Sequence, residues 1–218
     1  MKQKLVILGS TGSIGVNTLD VASRHPERFE VFALTAATRV ELLFQQCLEF
    51  RPRFAVMTSP AHAAELSQRL KASGSQTQVM AGPEALVEMA SHEAVDMVMA
   101  AIVGAAGLGA CMAAARSAKR LLLANKEALV VGGAFFMKAV QQSGATLLPI
   151  DSEHSAIFQS LPDDAQTWPQ RIEKIILTAS GGPLEQEKCL RSKTCCLRKL
   201  VRTLIGSWVA KFQWTRPR

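Results

Sequence analysis

The sequence predicts a doubly wound, Rossmann-like α/β fold built on a parallel sheet, and three observations support this. Short apolar runs alternate with longer stretches of helical spacing. The apolar runs contain few polar residues, which is typical of strands buried on both faces. A glycine-rich segment follows the first run, where the first strand would turn into the first helix. Helices between buried strands imply parallel βαβ units with right-handed crossovers.

The predicted elements follow one another without a low-complexity linker. We expect strands at residues 5–8, 31–34, 54–57, 95–100, 121–124 and 146–149. We expect helices between them at residues 13–24, 40–50, 61–73 and 83–91, where charged residues fall on one side. Ligands of such a sheet bind beyond the carboxyl ends of its strands, so the residues after each strand are the candidates for function.

The net charge of +7 is concentrated in the last part of the chain. Residues 184–218 hold nine Lys or Arg and two acids, whereas residues 1–183 hold sixteen of each. A neutral first part argues against a nucleic-acid-binding module, although a basic extension that binds RNA or a partner is the alternative for the tail. The sequence contains no uncharged apolar run of about 18 residues, so it predicts no membrane span. We therefore expect a cytoplasmic protein without nucleic-acid or membrane partners.

Three glycines, Gly9, Gly12 and Gly15, lie three residues apart at the predicted turn from the first strand into the first helix. Glycines at this spacing let the backbone approach a pyrophosphate, and the helix terminus offers N–H groups and a partial positive charge. The position after a strand and before a helix is the context that the dinucleotide-binding fingerprint requires. The turn therefore predicts a dinucleotide site, the alternative being a turn that only connects a strand to a helix.

The end of the second strand indicates which dinucleotide binds. An acid there selects NAD, and a basic residue accommodates the 2′-phosphate of NADP. Residues 35–39 contain no acid and one arginine, Arg39, whose planar donor fork suits a phosphate. The sequence predicts NADPH, with a solvated arginine at a helix start as the alternative.

Two further segments follow apolar strands. Residues 101–107 are small, which either admits a flat ring or allows close packing of a helix on the sheet. Asn125, Lys126 and Glu127 follow the next strand, where polar groups meet ligands. Lys126 suits a phosphorylated or carbonyl substrate, or a carboxylate of the protein itself.

Asp151 and Glu153 lie one residue apart after the last predicted strand. The two carboxylates can converge on a hard divalent cation, or can stabilise a helix N-terminus as acids. Spacing alone does not decide between these interpretations. His154 is interpreted as a structural support rather than a ligand. A further strand is expected at residues 172–177, and Ser180 lies in the glycine-containing turn after it, which suits a phosphate or substrate, or is a plain tight turn.

Taken together, these segments resemble the 1-deoxy-D-xylulose-5-phosphate reductoisomerase family. The resemblance covers residues 1–183 in order. The matching segments are LGSTGSIG at 8–15, CLEFRPRFAVM at 47–57, VMAAIVGAAGL at 98–108, LLANKEALV at 122–130, LLPIDSEHSAIFQSLP at 147–162 and LTASGGP at 177–183.

The resemblance implies a reaction, its cofactors and a domain organisation. The family rearranges and reduces 1-deoxy-D-xylulose 5-phosphate to 2-C-methyl-D-erythritol 4-phosphate in non-mevalonate isoprenoid biosynthesis. It uses NADPH with Mg²⁺ or Mn²⁺, and its full-length members are homodimers. We expect an NADPH-binding domain over residues 1–150, the beginning of an α+β catalytic domain over 151–183, and a non-native tail over 184–218. Another NADP-dependent oxidoreductase is the alternative, but it would not require both of the polar clusters, 125–127 and 151–154.

The resemblance also implies roles for individual residues. The residues implied for the pyrophosphate are Thr11, Gly12, Ser13 and Ile14. Those implied for the rest of the cofactor are Ala37, Thr38 and Arg39 at the adenosine end, with Asn125 and Glu127 further in. The family often has glycine at the position of Ala37 and asparagine at that of Arg39. Substrate binding is implied for Lys126, Ser152, Glu153 and Ser180, catalysis for Lys126 and Glu153, and metal binding for Asp151 and Glu153.

The tail departs from the family after Pro183, where members continue with a phenylalanine, an HPNW loop and a segment like GREISVDSAT. Codons built from the third base of each codon and the first two of the next can restore this pattern. From Cys196 to Arg218 the shifted frame is compatible with PEQACKHPNWKLGREISVDSAT. We expect a frameshift near Pro183 and a chain that lacks most of the catalytic domain and is inactive as it stands.

Overall fold

The computed structural model describes residues 1–125, 127–162, 164 and 167–173, apart from the side chain of Glu153. The chain divides into two compact units, Met1–Leu148 and Pro149–Arg218. Within the described residues every helix is too short or too polar for a bilayer crossing.

The fold is built on a seven-stranded sheet, which confirms the predicted fold class. The strands are β1 Gln3–Leu8, β2 Phe29–Ala36, β3 Phe54–Met57, β4 Gln78–Ala81, β5 Met97–Ala100, β6 Arg120–Leu123 and β7 Thr146–Pro149. Their order across the sheet is β4-β3-β2-β1-β5-β6-β7. The five pairs from β4 to β6 are all parallel.

A helix follows almost every strand. The helices are α1 Ser13–Arg24, α2 Val40–Phe50, α3 Pro60–Ala72, α4 Pro83–Ser91, α5 Leu108–Arg116, α6 Glu127–Ser143, α7 Ser152–Ser160 and α8 Trp168–Arg171. A short 3₁₀ helix, Ala105–Gly107, precedes α5. The four predicted helices and the first six predicted strands are present, with ends shifted by two residues at most. The last predicted strand, at residues 172–177, lies mostly outside the described residues.

The strand β4 is missing from the sequence prediction. It lies at the edge of the sheet and pairs only with β3, with Gln78 opposite Phe54. Its two central residues are half-buried and its two ends are exposed. An edge strand that is only half-buried does not need a continuous apolar run, so its sequence is hard to distinguish from that of a loop.

The topology predicts a ligand site at the centre of the sheet. Strand β1 pairs with β2 on one side and with β5 on the other. The chain therefore winds outward in two directions from β1, and ligands of such sheets bind at the carboxyl ends of the strands where the direction changes. Here these ends are Leu8 of β1 and Ala100 of β5.

The core explains why the strands are apolar on both faces. Val6, Ile7 and Leu8 of β1 have no exposed surface, because helices cover both sides of the central strands. One part of the core packs Ile7 against α2 and α3, whose Leu43 and Leu66 are also fully buried.

Helix α6 carries two adjacent phenylalanines in opposite environments. Phe136 is completely buried, and a Cβ added at Gly132 would lie 2.9 Å from its Cβ, so the packing there is tight. Phe135 is 80% exposed. Because the two residues share one helix and one side-chain chemistry, they separate the effect of burial from that of helix propensity.

We expect Phe136→Ala to lower the free energy of unfolding by about 3–5 kcal/mol, because it leaves a cavity in the core. The matched variant Phe135→Ala should change it by no more than about 0.5 kcal/mol. Urea denaturation followed by circular dichroism measures both. Equal effects of the two substitutions would contradict the assigned burial of Phe136.

Candidate functional site

The glycine-rich turn connects Leu8, the last residue of β1, to Ser13, the first of α1. Gly9 has a φ of +83°, and a Cβ there would lie 3.1 Å from the carbonyl oxygen of Ala101. A Cβ at Gly15 would lie 2.4 Å from the carbonyl oxygen of Gly9, closer than any real contact. The fold itself therefore requires glycine at positions 9 and 15.

Gly12 differs from its two neighbours in the motif. Its φ is −81°, which any residue adopts, and a Cβ there would lie 3.5 Å from the carbonyl oxygen of Gly9, an ordinary van der Waals contact. Gly12 and Ser13 are exposed. The protein thus leaves room at position 12, and a glycine there keeps the surface of the turn open to a group from outside.

The N-terminus of α1 lies at this open surface. Among the described residues no side chain caps it, and its first turn contains no acid. The first N–H groups of a helix lack intrahelical partners and carry a partial positive charge. The turn can therefore accept an anionic group such as a pyrophosphate.

Three buried polar residues, Ser10, Thr35 and Gln46, hold the turn in place. The Ser10 hydroxyl donates to Gln46 Oε1 at 2.7 Å, and Gln46 Nε2 donates back to the Ser10 carbonyl at 3.0 Å. The backbone N–H of Gly9 donates to Thr35 Oγ1 at 2.8 Å. This network was not predicted from the sequence. The feature of the sequence that could have indicated the network is Gln46. It is a polar residue on the buried face of α2, which it shares with Leu43 and Cys47.

Arg39 connects the end of β2 to the glycine-rich turn. It is exposed, directly precedes α2, and donates from Nη1 to the carbonyl oxygen of Thr11 at 3.0 Å. The structure therefore brings the predicted pyrophosphate residues, from Thr11 to Ile14, together with the predicted adenosine residue Arg39. Ala37 and Thr38 are exposed beside it.

An open groove of about 510 Å³ continues from Arg39. Its lining residues come from the start of α2 and from α3: Thr38, Arg39, Val40, Glu41, Leu42, Gln45, His62 and Glu65. Hydrogen bonds from Gln45 and Arg69 lower the pKa of Glu41 below its usual value. Glu41 is therefore an acceptor already engaged by the protein.

Asn125 is buried, and its side chain is used within the protein. Its Nδ2 donates to the carbonyl oxygens of Ile102 and of Gly104, the latter at 2.9 Å, and its Oδ1 accepts the N–H of Ala128 at 3.3 Å. These bonds tie the loop after β5 to the start of α6. A Cβ at Gly107 would lie 3.1 Å from Asn125 Nδ2, so close packing accounts for that glycine.

The remaining predicted residues of the first unit are Lys126 and Glu127. Glu127 is half-buried and begins α6, where an acid stabilises the helix terminus. Lys126 lies outside the described residues. Val103, in the loop that Asn125 holds, is 82% exposed.

Asp151 and its neighbours belong to the second unit. Asp151 is the N-cap of α7, where its Oδ1 accepts the backbone N–H of His154 at 2.9 Å. The ring Nδ1 of the buried His154 lies 2.6 Å from the same oxygen. The helix-terminus interpretation of this acid therefore holds, and His154 supports the carboxylate.

The other predicted residues near Asp151 are only partly described. Ser152 is exposed at the first position of α7. The side chain of Glu153 and the whole of Ser180 lie outside the described residues. No group of three metal-binding side chains occurs within the described part of the chain. Asp151 has the hard oxygen that Mg²⁺ prefers, but one described carboxylate is too few to hold the ion.

The two described thiols, Cys47 and Cys111, are not candidates for catalysis. Both are buried, and burial raises the pKa of each to about 12. A thiol with so high a pKa forms almost no nucleophilic thiolate near neutral pH.

Two family models match the chain. The model described as 1-deoxy-D-xylulose 5-phosphate reductoisomerase matches residues 5–133. The model of the C-terminal domain of the same enzyme matches residues 147–202. The second match runs past Pro183, near which we expect the frame to change.

Curated relatives of the same name are highly similar. The reductoisomerase of Aromatoleum aromaticum is 61% identical over 186 residues, which are 84% of this chain and 46% of the relative. That of Aeromonas hydrophila is 60% identical over 186 residues, which are 82% of this chain and 47% of the relative. The chain thus spans about half the length of the curated relatives it matches.

Solved structures agree with the sequence matches. A DOX-P reductoisomerase in complex with NADPH, fosmidomycin and magnesium is 49% identical, with a TM-score of 0.73 over 76% of this chain and 41% of that one. The Zymomonas mobilis 1-deoxy-D-xylulose 5-phosphate reductoisomerase in complex with NADPH is 42% identical, with a TM-score of 0.78 over 86% of this chain and 48% of that one. The chain therefore belongs to the 1-deoxy-D-xylulose 5-phosphate reductoisomerase family.

Proposed function

We propose that this chain supplies the NADPH-binding part of a 1-deoxy-D-xylulose 5-phosphate reductoisomerase. The observation that carries the proposal is the open glycine-rich turn, with Arg39 Nη1 3.0 Å from the carbonyl oxygen of Thr11 beside it. An anion-binding helix terminus and a guanidinium, placed next to each other, suit a dinucleotide with a 2′-phosphate.

The proposed roles follow this geometry. Residues from Thr11 to Ile14 hold the pyrophosphate at the uncapped terminus of α1. Arg39 binds the 2′-phosphate, with Ala37 and Thr38 exposed beside it. NADPH, when bound, supplies the hydride for the reduction.

The role proposed for Asn125 is to position a loop rather than to contact the cofactor with its side chain. Both its side-chain nitrogen Nδ2 and its side-chain oxygen Oδ1 form hydrogen bonds within the protein. The loop it holds carries the exposed Val103. Glu127 adds negative charge at the start of α6 and retains its proposed contact with the inner part of the cofactor.

The metal and substrate residues rest on the family. Asp151 and Glu153 would hold Mg²⁺ or Mn²⁺, which supplies Lewis-acid polarisation of substrate oxygens when bound. His154 keeps the Asp151 carboxylate in place. Lys126, Ser152, Glu153 and Ser180 would bind a phosphorylated sugar, with Lys126 and Glu153 as the catalytic groups. Fosmidomycin in a solved relative supports a site for such a small anionic molecule.

The whole reaction needs more than the part of the chain that these residues form. The chain matches 46% of the Aromatoleum aromaticum relative. We propose that residues which relatives carry beyond the matched part complete the metal site and cover the substrate, and that the frame change near Pro183 removes them. A cytoplasmic homodimer is the proposed state of the complete protein.

The first prediction from the proposed function compares two glycines of the turn. Gly12→Ala should leave the free energy of unfolding within about 1 kcal/mol of the wild type, because alanine adopts the backbone conformation found there. It should weaken NADPH binding by about tenfold or more, because the new methyl group occupies the ligand's side of the turn. Calorimetric titration measures the affinity.

Gly15→Ala is the matched variant. It should destabilise the fold by about 1–3 kcal/mol or more, since its Cβ overlaps the Gly9 carbonyl. Urea denaturation of both variants checks the contrast. Unchanged NADPH affinity of the Gly12 variant would show that the ligand does not approach this turn.

The second prediction concerns Arg39. The wild type should prefer NADPH to NADH, and Arg39→Ala should reduce this preference by about one to two orders of magnitude. The substitution should weaken the binding of NADPH and leave that of NADH unchanged, because NADH lacks the 2′-phosphate. Equal wild-type affinities for the two cofactors would contradict the role of Arg39.

The third prediction concerns turnover. The 218-residue chain should not oxidise NADPH when given 1-deoxy-D-xylulose 5-phosphate and Mg²⁺. A version with the frame restored after Pro183 should do so, because it regains the remaining metal ligand and the loop that excludes water. The assay follows absorbance of NADPH. Turnover by the present chain would refute the proposed incompleteness, and an inactive but folded restored version would refute the proposed reaction.

A further inference from the structure

Within the described part of the chain, the backbone polar groups of the glycine-rich turn, residues 9–12, have partners in the protein with one exception. The N–H groups of Gly9 and Ser10 donate to Thr35, the first to its Oγ1 and the second to its carbonyl oxygen, both at 2.8 Å. The N–H of Gly12 donates to the carbonyl oxygen of Gly9 at 3.1 Å. Backbone groups inside a protein are almost always paired, so the exception needs an explanation.

The exception is the N–H of Thr11, which has no acceptor among the described residues. The carbonyl groups on either side of it are held by side chains. Gln46 Nε2 donates to the carbonyl oxygen of Ser10 at 3.0 Å, and Arg39 Nη1 donates to that of Thr11 at 3.0 Å. The Thr11 N–H is therefore a donor that the protein leaves for a group from outside.

Gln46 determines the direction of this donor. In a planar trans peptide the C=O and the N–H lie on opposite sides of the chain. The carbonyl of Ser10 and the N–H of Thr11 belong to one such peptide, so the bond from Gln46 to the carbonyl directs the N–H away from α2. If this peptide rotated by half a turn, it would present its carbonyl oxygen instead, and the partial negative charge of that oxygen repels an anion.

Gln46 makes two bonds to Ser10, and they can be removed separately. Its Oε1 accepts the Ser10 hydroxyl at 2.7 Å, and its Nε2 donates to the Ser10 carbonyl. Ser10→Ala removes the first bond and keeps the second, whereas Gln46→Met removes both at similar side-chain length. If Gln46 only stiffened the turn, the two substitutions would have similar effects on a ligand. If it orients the peptide, only Gln46→Met disturbs the Thr11 N–H.

We propose that Gln46 is a positioning residue for the cofactor: by holding the Ser10 carbonyl, it keeps the Thr11 N–H directed at the pyrophosphate of NADPH. This rests on the proposed function, in which the pyrophosphate lies at the turn. A hydrogen bond to an ionised acceptor is about twice as strong as a neutral one, so the direction of one N–H affects affinity measurably. Gln46 is buried and acts through Ser10. NADPH and NADH share the pyrophosphate, so both depend on Gln46.

The first test is calorimetric titration of the full chain with NADPH and with NADH. Gln46→Met should weaken both cofactors by the same factor, about tenfold, because the Ser10–Thr11 peptide is no longer held in one orientation. Ser10→Ala should keep both affinities within about threefold of the wild type, since the bond to the main-chain carbonyl remains. Gln68→Met makes the same chemical change at an exposed position of α3 and should alter neither affinity.

The second test detects the Thr11 N–H itself, by nuclear magnetic resonance of protein labelled with ¹⁵N-threonine. In the wild type, saturating NADPH should move the amide proton of Thr11 downfield, because a hydrogen bond to a phosphate oxygen deshields it. In Gln46→Met saturated with NADPH the shift should be smaller. Thr11→Ser identifies the signal, since it removes one labelled residue and keeps the backbone N–H.

The outcomes separate this proposal from the proposed function. If Gln46→Met binds NADPH as tightly as the wild type, the positioning role is overturned and NADPH binding stays in place. Equal losses of affinity in Ser10→Ala and Gln46→Met would also overturn it, since loosening of the turn would then suffice. If thermal melts show that Gln46→Met does not fold, the wild type still decides: NADPH binding without a shift of the Thr11 signal overturns the role. A wild type that binds neither cofactor would overturn both proposals.

Discussion

The close approach of helix α1 to the end of β1 is the constraint on which the rest of the site depends. It brings position 15 so near the Gly9 carbonyl that no side chain fits between them. Hydrogen bonds of three buried residues hold the turn in this position. Thr35 accepts the N–H of Gly9, and Ser10 and Gln46 bond to each other. Because buried polar groups are costly unless paired, this network fixes one arrangement of the turn. The open helix terminus is a consequence of that fixed arrangement.

Glycines and polar residues of the motif segments divide into those that the fold needs and those that a ligand would explain. Gly9, Gly15 and Gly107 meet protein atoms at close range, so packing accounts for them. Asn125 is likewise used by the loop after β5 and the start of α6. Gly12 and Arg39 are different, because one leaves space at the surface and the other presents a guanidinium there. A motif that matches a family as a whole thus contains some residues that packing requires and others that ligand binding would explain.

The sequence predicted the sheet, its central strands and the glycine-rich turn, because each leaves a local trace. A strand buried on both faces is an apolar run, and a turn this tight requires glycine. The edge strand β4 leaves no such trace, since only its two central residues are half-buried. The role of Gln46 also depends on the partner Ser10, 36 positions earlier in the chain, which no local pattern specifies. Spacing likewise left two interpretations of Asp151, and only its hydrogen bond to the His154 N–H identified the helix cap.

The helix cap at Asp151 is compatible with the metal site that we propose there. A carboxylate has about four lone-pair positions. The backbone N–H of His154 approaches Oδ1, and its ring Nδ1 lies 2.6 Å from Oδ1 and 2.5 Å from Oδ2. These two nitrogens occupy about two of the four positions, which leaves acceptor capacity on the carboxylate for a cation. Hydrogen bonds of this kind orient a metal-binding carboxylate, and removing such supports typically costs about 10–100-fold in metal affinity. The acid that caps α7 can therefore stabilise the helix while acceptor positions remain for the Mg²⁺ that we propose it binds, so the two interpretations of the sequence do not exclude each other.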